Sequence, residues 1–323
     1  MWRGLTRALA LLAFGALAAP TAAQERGLAG VPRDLAASRD HAAIFAYLAA
    51  HGLSVFMPTY QYQEVPEARS LGFETDFLPP CDPGAPQFVA LRDSGLRLLV
   101  PGLLLYAEGS AGGVDPLAEL IRCTGRAAIF GVLSQDEPVL NAIPEAEVAA
   151  LYRRVKAVDP SIPVVMVHAP LLADRPDHAR ADGRAAYLDA VRRYSQHADW
   201  VGFDVYPVPL PISQILTPDG PPPTDPAAAV RAYADWLAKV LPERRHVSVL
   251  QGFGIRDLHD PDWAARNVPQ ELWQAAGPPS GEETRAMYAA ARDAGHGLIV
   301  WWGIAALETA SQPPLPDILR LTR

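Results

Sequence analysis

The chain has 323 residues, half of them hydrophobic and a fifth charged, with a formal net charge of −8. That apolar content supports a large core and excludes a disordered chain. The acidic balance speaks against nucleic acid or an anionic lipid surface as partner and fits a neutral ligand.

At the N-terminus, Arg3 and Arg7 flank a basic start, residues 8–19 are apolar, and Thr21, Ala22 and Ala23 precede Gln24. This is the layout of a secretory signal peptide, and the apolar stretch is too short for a membrane span. Residues 1–23 are therefore expected to be removed. The remaining chain, 24–323, is two units more negative and is expected to be secreted or periplasmic, without membrane insertion. The only two cysteines, Cys81 and Cys123, follow this segment, and in an oxidising compartment they are expected to pair. The eight histidines show no metal-binding spacing, so no metal or cofactor is expected.

Short apolar runs then alternate with helical patterns. Strands are predicted around 27–31 and over 53–57, 96–104, 127–134, 162–167, 200–205, 246–250 and 297–301. Helices are predicted over 40–50, 86–94, 116–122, 144–158, 184–197, 226–240 and 282–294, with a closing helix at 315–321. Asp115 and Asp225 each stand before a proline and read as helix N-caps. Gly52 and Gly95 follow helices, where a left-handed residue is wanted. Strict alternation implies a parallel sheet covered on both faces. At this length it predicts one α/β domain, a single (β/α)8 (TIM) barrel. The open doubly wound sheet is the alternative, but its glycine-rich phosphate loop is missing after the first strand. The proline-rich segment 207–226 would lie on the catalytic face, as a cleft wall or as a passive loop. One conflict stands. With these boundaries Cys81 lies in a catalytic-face loop and Cys123 near the opposite end, too far apart for a bond.

In such a barrel the residues after each strand gather on one face. After the second strand come Thr59, Tyr60 and Tyr62, then Glu74 and Asp76. The third is followed by Tyr106 and Glu108, and the fourth by Gln135, Asp136 and Glu137. His168, Asp204 with Tyr206, Gln251, and Trp301 with Trp302 end the remaining strands. Neighbours in a strand face opposite ways, so at most one of the two tryptophans faces inward. Pro138 biases Glu137 toward an extended backbone. Carboxylates that can donate protons, amides that can bind hydroxyls and aromatic faces that can stack on sugar rings point toward carbohydrate chemistry.

The runs Gly-Val-Leu-Ser-Gln-Asp-Glu-Pro (131–138), Ala-Asp-Trp-Val-Gly-Phe-Asp-Val-Tyr-Pro (198–207), Leu-Gln-Gly-Phe-Gly (250–254) and Gly-Leu-Ile-Val-Trp-Trp-Gly (297–303) resemble successive strands of bacterial barrel-type glycoside hydrolases. The resemblance implies that Glu137 is the general acid/base beside Asp136, and the strand-end reading adds Tyr60, Tyr106, His168, Tyr206, Gln251 and Trp301 as the lining of a carbohydrate site. The large retaining group places its nucleophilic glutamate on strand seven, where this chain has Gln251. Three readings follow: Asp204 supplies the second carboxylate, a substrate acetamido group attacks with Asp136 assisting, or the protein binds glycan without turnover, in polysaccharide secretion or attachment.

Overall fold

The computed structural model describes residues 24–58, 75–106, 113–258, 262 and 268–322, so the expected signal segment 1–23 lies outside them. Eight parallel strands form a closed barrel: β1 (Glu25–Ala29), β2 (Val55–Met57), β3 (Arg97–Pro101), β4 (Ile129–Leu133), β5 (Val164–His168), β6 (Trp200–Val205), β7 (Arg245–Gln251) and β8 (Leu298–Trp302). Each pairs with the next in sequence, and β8 closes on β1 through Glu25↔Leu298 to Leu28↔Trp301. The (β/α)8 barrel expected from the alternating pattern is the fold. Among the described residues, no helix is long and apolar enough to cross a membrane.

Helices Pro86–Ser94, Pro226–Val240 and Leu315–Leu321 have the predicted limits. Their starts are chemically fixed. Asp115 accepts from the Leu117 N–H at 2.9 Å and Asp225 from the Ala228 N–H at 2.8 Å, satisfying amides a helix start otherwise leaves open. Gly52 and Gly95 take φ of 76° and 74° after their helices.

Most strand limits shift by one or two residues from expectation, and two of the shifts have a clear cause. β1 lies earlier than 27–31, because Gly30 turns the chain with φ 77°. β3 stops at Pro101, and the leucines beyond it form a short helix, Gly102–Leu105. An apolar run of that length does not distinguish strand from helix. Gly102 is required there, since a Cβ would come within 2.6 Å of the Leu133 carbonyl oxygen.

Outward strand residues pack under the helices. Trp301 is fully buried and stacks on Tyr288 of helix Gly281–Asp293 at 5.6 Å. Inward residues form a second cluster that includes Leu99, Phe130, Val165, Trp200, Val247, Leu298 and Val300. Part of segment 207–226 is ordered by pairing: Ile215–Leu216 runs antiparallel to Leu171–Leu172. The Tyr233 hydroxyl ties the two together, accepting from Leu171 N–H at 2.7 Å and donating to Leu216 O at 2.5 Å.

Cys81 and Cys123 form a disulfide with Cα atoms 6.2 Å apart. The conflict over their positions resolves because residues 81–83 run beside helix Pro116–Thr124. Arg122 donates to Cys81 O, while Arg92 bridges Cys123 O and Pro83 O. The bond closes a 42-residue separation, which should stabilise the fold by about 2–4 kcal/mol. Cys81→Ser is expected to lower urea stability by that amount relative to the oxidised protein, and reductant should then have no further effect. Coincident unfolding curves for variant and wild type would contradict this.

Candidate active site

β4 delivers the chain to the C-terminal end of the barrel at Ser134, whose N–H donates to Val165 O at 2.7 Å. A hydrogen-bonded turn follows. Asn141 N–H donates to Glu137 O at 3.0 Å and the Asn141 side-chain amide to Asp136 O at 2.9 Å. Ile143 N–H donates to Pro138 O at 2.9 Å. These bonds hold Glu137 at φ 41°, not in the extended geometry expected before proline. A non-glycine residue in the left-handed region is strained, and the turn supplies the bonds that keep it there.

Strand alternation carries Asp204 and Tyr206 inward from β6 and its end. With Asp136 and Glu137 they line a cavity of about 540 Å³ opening at the strand C-termini, within the usual range for small-molecule sites. Trp302 completes an aromatic wall, stacked on Tyr206 with ring centres 5.5 Å apart. Phe253 meets both rings edge-on. Ser134 is the remaining hydroxyl lining the cavity, its Oγ buried without a partner among the described residues.

Glu137 and Asp204 hydrogen-bond to each other through their side chains. Burial, then the adjacent Glu137 charge, pushes the Asp204 carboxyl well above the ordinary carboxylate range. Burial also raises Glu137; its bond to Asp204 and the charge of Arg175 oppose that rise, while the Asp136 charge adds to it. Two carboxyl groups in contact cannot both ionise readily. Asp204, 7% exposed with one oxygen lacking any partner among the described residues, therefore holds the shared proton and donates it to Glu137. Asp136 is open to solvent at the mouth, yet the protein crowding its inner side raises its carboxyl as well.

The structure brings Asp136, Glu137, Asp204, Tyr206 and Trp302 together, and most of the other named residues lie elsewhere. Tyr60 lies outside the described residues, as do Thr59, Tyr62, Glu74 and Glu108. Tyr106 sits beyond the cavity lining, its hydroxyl donating to Asp115 at 3.3 Å and its ring under Arg154 at 4.1 Å. His168 has the outward parity of β5. It is fully buried against Ser195 at 3.1 Å, and burial lowers its pKa to about 3. Trp301 is outward by the same alternation, and Trp302 is the tryptophan at the cavity. Asp76 is paired with Arg39 and His41. Sequence reasoning passed over Ser134, whose position after Leu133 was the available signal.

Gln251 is completely buried. Its side-chain oxygen accepts from Val208 N–H at 2.8 Å, and its amide donates to Val208 O at 2.8 Å and Phe253 O at 3.0 Å. It clamps the loop carrying Tyr206 and does not line the cavity. Two carbonyl oxygens face its NH2, so only an amide satisfies all three partners.

Among the described residues no cluster of histidine, cysteine and acidic side chains could hold a metal. No family model matches the chain, and no curated protein sequence matches it. Solved structures match in fold. An endo-1,4-beta-D-mannanase from Thermotoga petrophila RKU-1 aligns with TM-score 0.52 and 9% identity, over 93% of this chain and 99% of its own. A class V chitinase from Pseudomonas fluorescens Pf-5 aligns with TM-score 0.52 and 11% identity, over 92% and 99%. At such identities the likeness is one of barrel fold.

Two measurements test this electrostatic picture. Gln251→Glu, which would place a carboxylate on strand seven, should destabilise the protein by roughly 2–4 kcal/mol, since it sets an anion against two buried carbonyls. Unchanged urea stability would contradict the clamp. Both carboxyls of the acid pair are raised in the folded state, so their contribution is full below the unfolded values of about 4 and is lost as pH rises through the raised ones. Asp204→Asn should therefore gain melting temperature relative to wild type as pH is raised from about 4 toward 8; parallel profiles would refute the shared proton.

Proposed function

We propose that the chain is a glycoside hydrolase acting on an extracellular or periplasmic glycan, with Glu137 as general acid/base. The observation that carries this reading is the Glu137–Asp204 hydrogen-bonded pair in a cavity at the barrel's C-terminal mouth. The half-buried setting raises the Glu137 carboxyl, and the proton that Asp204 holds against it is a source from which Glu137 is reprotonated. Tyr206 and Trp302 offer an aromatic face to a sugar ring. The similarly folded mannanase and chitinase act on carbohydrate by their names, which agrees with this substrate class. Export rests on the signal-like character of residues 1–23.

The contact also narrows the mechanism. A retaining pair stands about 5–5.5 Å apart across the sugar, and an inverting pair roughly 6.5–9.5 Å. Carboxyl groups sharing a hydrogen bond are closer than either, so Glu137 and Asp204 work on the same side of the scissile bond. Asp204 then tunes and reprotonates Glu137 and is not the nucleophile. Gln251 cannot serve either. The attacking group that fits is an acetamido oxygen on the substrate itself, with Asp136 at the mouth placed to hold its N–H.

The buried amide on strand seven also favours a second reading, a glycan-binding barrel without turnover. Aryl glycosides with and without a 2-acetamido group separate the two. Glu137→Gln should reduce hydrolysis of the acetamido substrate by about 10²–10⁴-fold while leaving binding intact. Binding without hydrolysis by wild type would establish the second reading, and equal turnover by wild type and variant would remove Glu137 from the chemistry.

A further inference from the structure

The loop after β5 passes the acid pair through a turn fastened at several points. The Tyr187 hydroxyl donates to Ala169 O at 2.8 Å, and the Tyr233 hydroxyl takes the Leu171 N–H at 2.7 Å. Ala173 N–H donates to Gln214 O at 2.7 Å. Leu172 N–H instead donates to Nδ1 of His178 at 2.9 Å. Within the turn, Arg175 N–H donates to Leu172 O at 3.2 Å and Ala179 N–H to Arg175 O at 3.1 Å. Arg175 is exposed and makes no ion pair among the described residues, and its charge acts on Glu137. The adjacent Asp177 is engaged by Arg180 at 3.1 Å.

Of these anchors only His178 titrates near neutral pH. Burial pushes the Tyr187 and Tyr233 hydroxyls far above their ordinary range, and the Ala173 bond joins two backbone groups. His178 is 4% exposed, its ring against Tyr187 with centres 4.5 Å apart. To accept from Leu172, Nδ1 must carry no proton, so the neutral ring bears its hydrogen on Nε2. A second proton has only Nδ1 to go to, where it would set two donors against each other. Burial, then the Arg175 charge, holds the imidazole below its ordinary value of about 6.5, against the pull of Asp177 and Asp174. From the following helix Arg184 also faces this residue, donating to His178 O at 3.3 Å and Ala179 O at 3.1 Å.

We propose that His178 is a positioning residue for the acid pair: its neutral ring fastens the turn that presents Arg175 to Glu137, and a proton on Nδ1 releases that turn. This rests on Glu137 as the acid/base and adds a control located outside the cavity. Because the folded protein holds the ring below its unfolded value, the anchor is complete above about pH 6.5 and is lost as pH falls through the lowered value. Release withdraws a positive charge from Glu137 and lets its carboxyl rise further.

Hydrogen exchange of the Leu172 amide and the carboxyl resonance of Glu137, followed in the full chain, test the two links separately. In wild type the Leu172 protection factor should fall about tenfold between roughly pH 7 and pH 4, as expected for one hydrogen bond lost. His178→Asn, which keeps an acceptor near Leu172 but cannot titrate, should stay protected throughout and keep the wild-type Glu137 midpoint. His178→Leu should lack that protection at every pH and move the Glu137 midpoint upward. Arg175→Gln, at an exposed position, should move the midpoint equally while Leu172 stays protected. Protection independent of pH in wild type, an Asn variant that matches the Leu variant, or a Glu137 midpoint unmoved by Arg175→Gln would overturn the proposal. If these shifts are present and no aryl glycoside is hydrolysed, the anchor stands and only the acid/base reading falls.

Discussion

Closing eight parallel strands on one another removes every sheet edge and obliges each strand to send alternate residues inward. All else at the site follows from that constraint. On β6 it turns Trp200, Gly202, Asp204 and the following Tyr206 toward the axis, and Val201, Phe203 and Val205 toward the helices. On β8 it delivers Trp302 to the cavity and Trp301 to the helix layer, where Tyr288 covers it. The same rule sends His168 outward to Ser195. An acid three residues before a proline-rich loop thus becomes a buried carboxyl aimed at the mouth, facing the turn that β4 presents.

That placement sets the electrostatics. Asp204 is buried and makes no ion pair with a cation among the described residues, so its carboxyl is most stable when protonated and hydrogen-bonded to Glu137. The turn bonds from Asn141 and Ile143 keep Glu137 in its strained backbone conformation and hence within reach of Asp204. Gln251 contributes from the neighbouring strand by fixing the Val208 backbone. The strand-seven amide is then a consequence of architecture: it braces the wall beside the acids where a carboxylate would be destabilising.

Much of this was legible in the amino-acid sequence. Apolar periodicity and N-capping aspartates located the strands and the principal helices within a few residues, because buried parallel strands and capped helices obey local rules. The gathering of Asp136, Glu137 and Asp204 followed from strand order alone. Parity was harder, since consecutive apolar residues such as Trp301 and Trp302 look alike until the barrel fixes which one is inward. The left-handed Glu137 was hidden because its hydrogen bonds come from Asn141, against the preference imposed by Pro138. The role of Gln251 depends on backbone groups of a different strand's loop, which no spacing reveals. The Cys81–Cys123 bond was anticipated by compartment but obscured by the path of residues 81–83.

A single proton shared between Glu137 and Asp204 unites the strained turn, the buried strand-six acid and the proposed acid/base role. Infrared difference spectroscopy of the carboxyl region at neutral pH, comparing wild type with Asp204→Asn, reads that proton directly. The account predicts a protonated-carboxyl stretch in wild type that disappears in the variant. Spectra showing both groups ionised, with no protonated band lost on substitution, would contradict it.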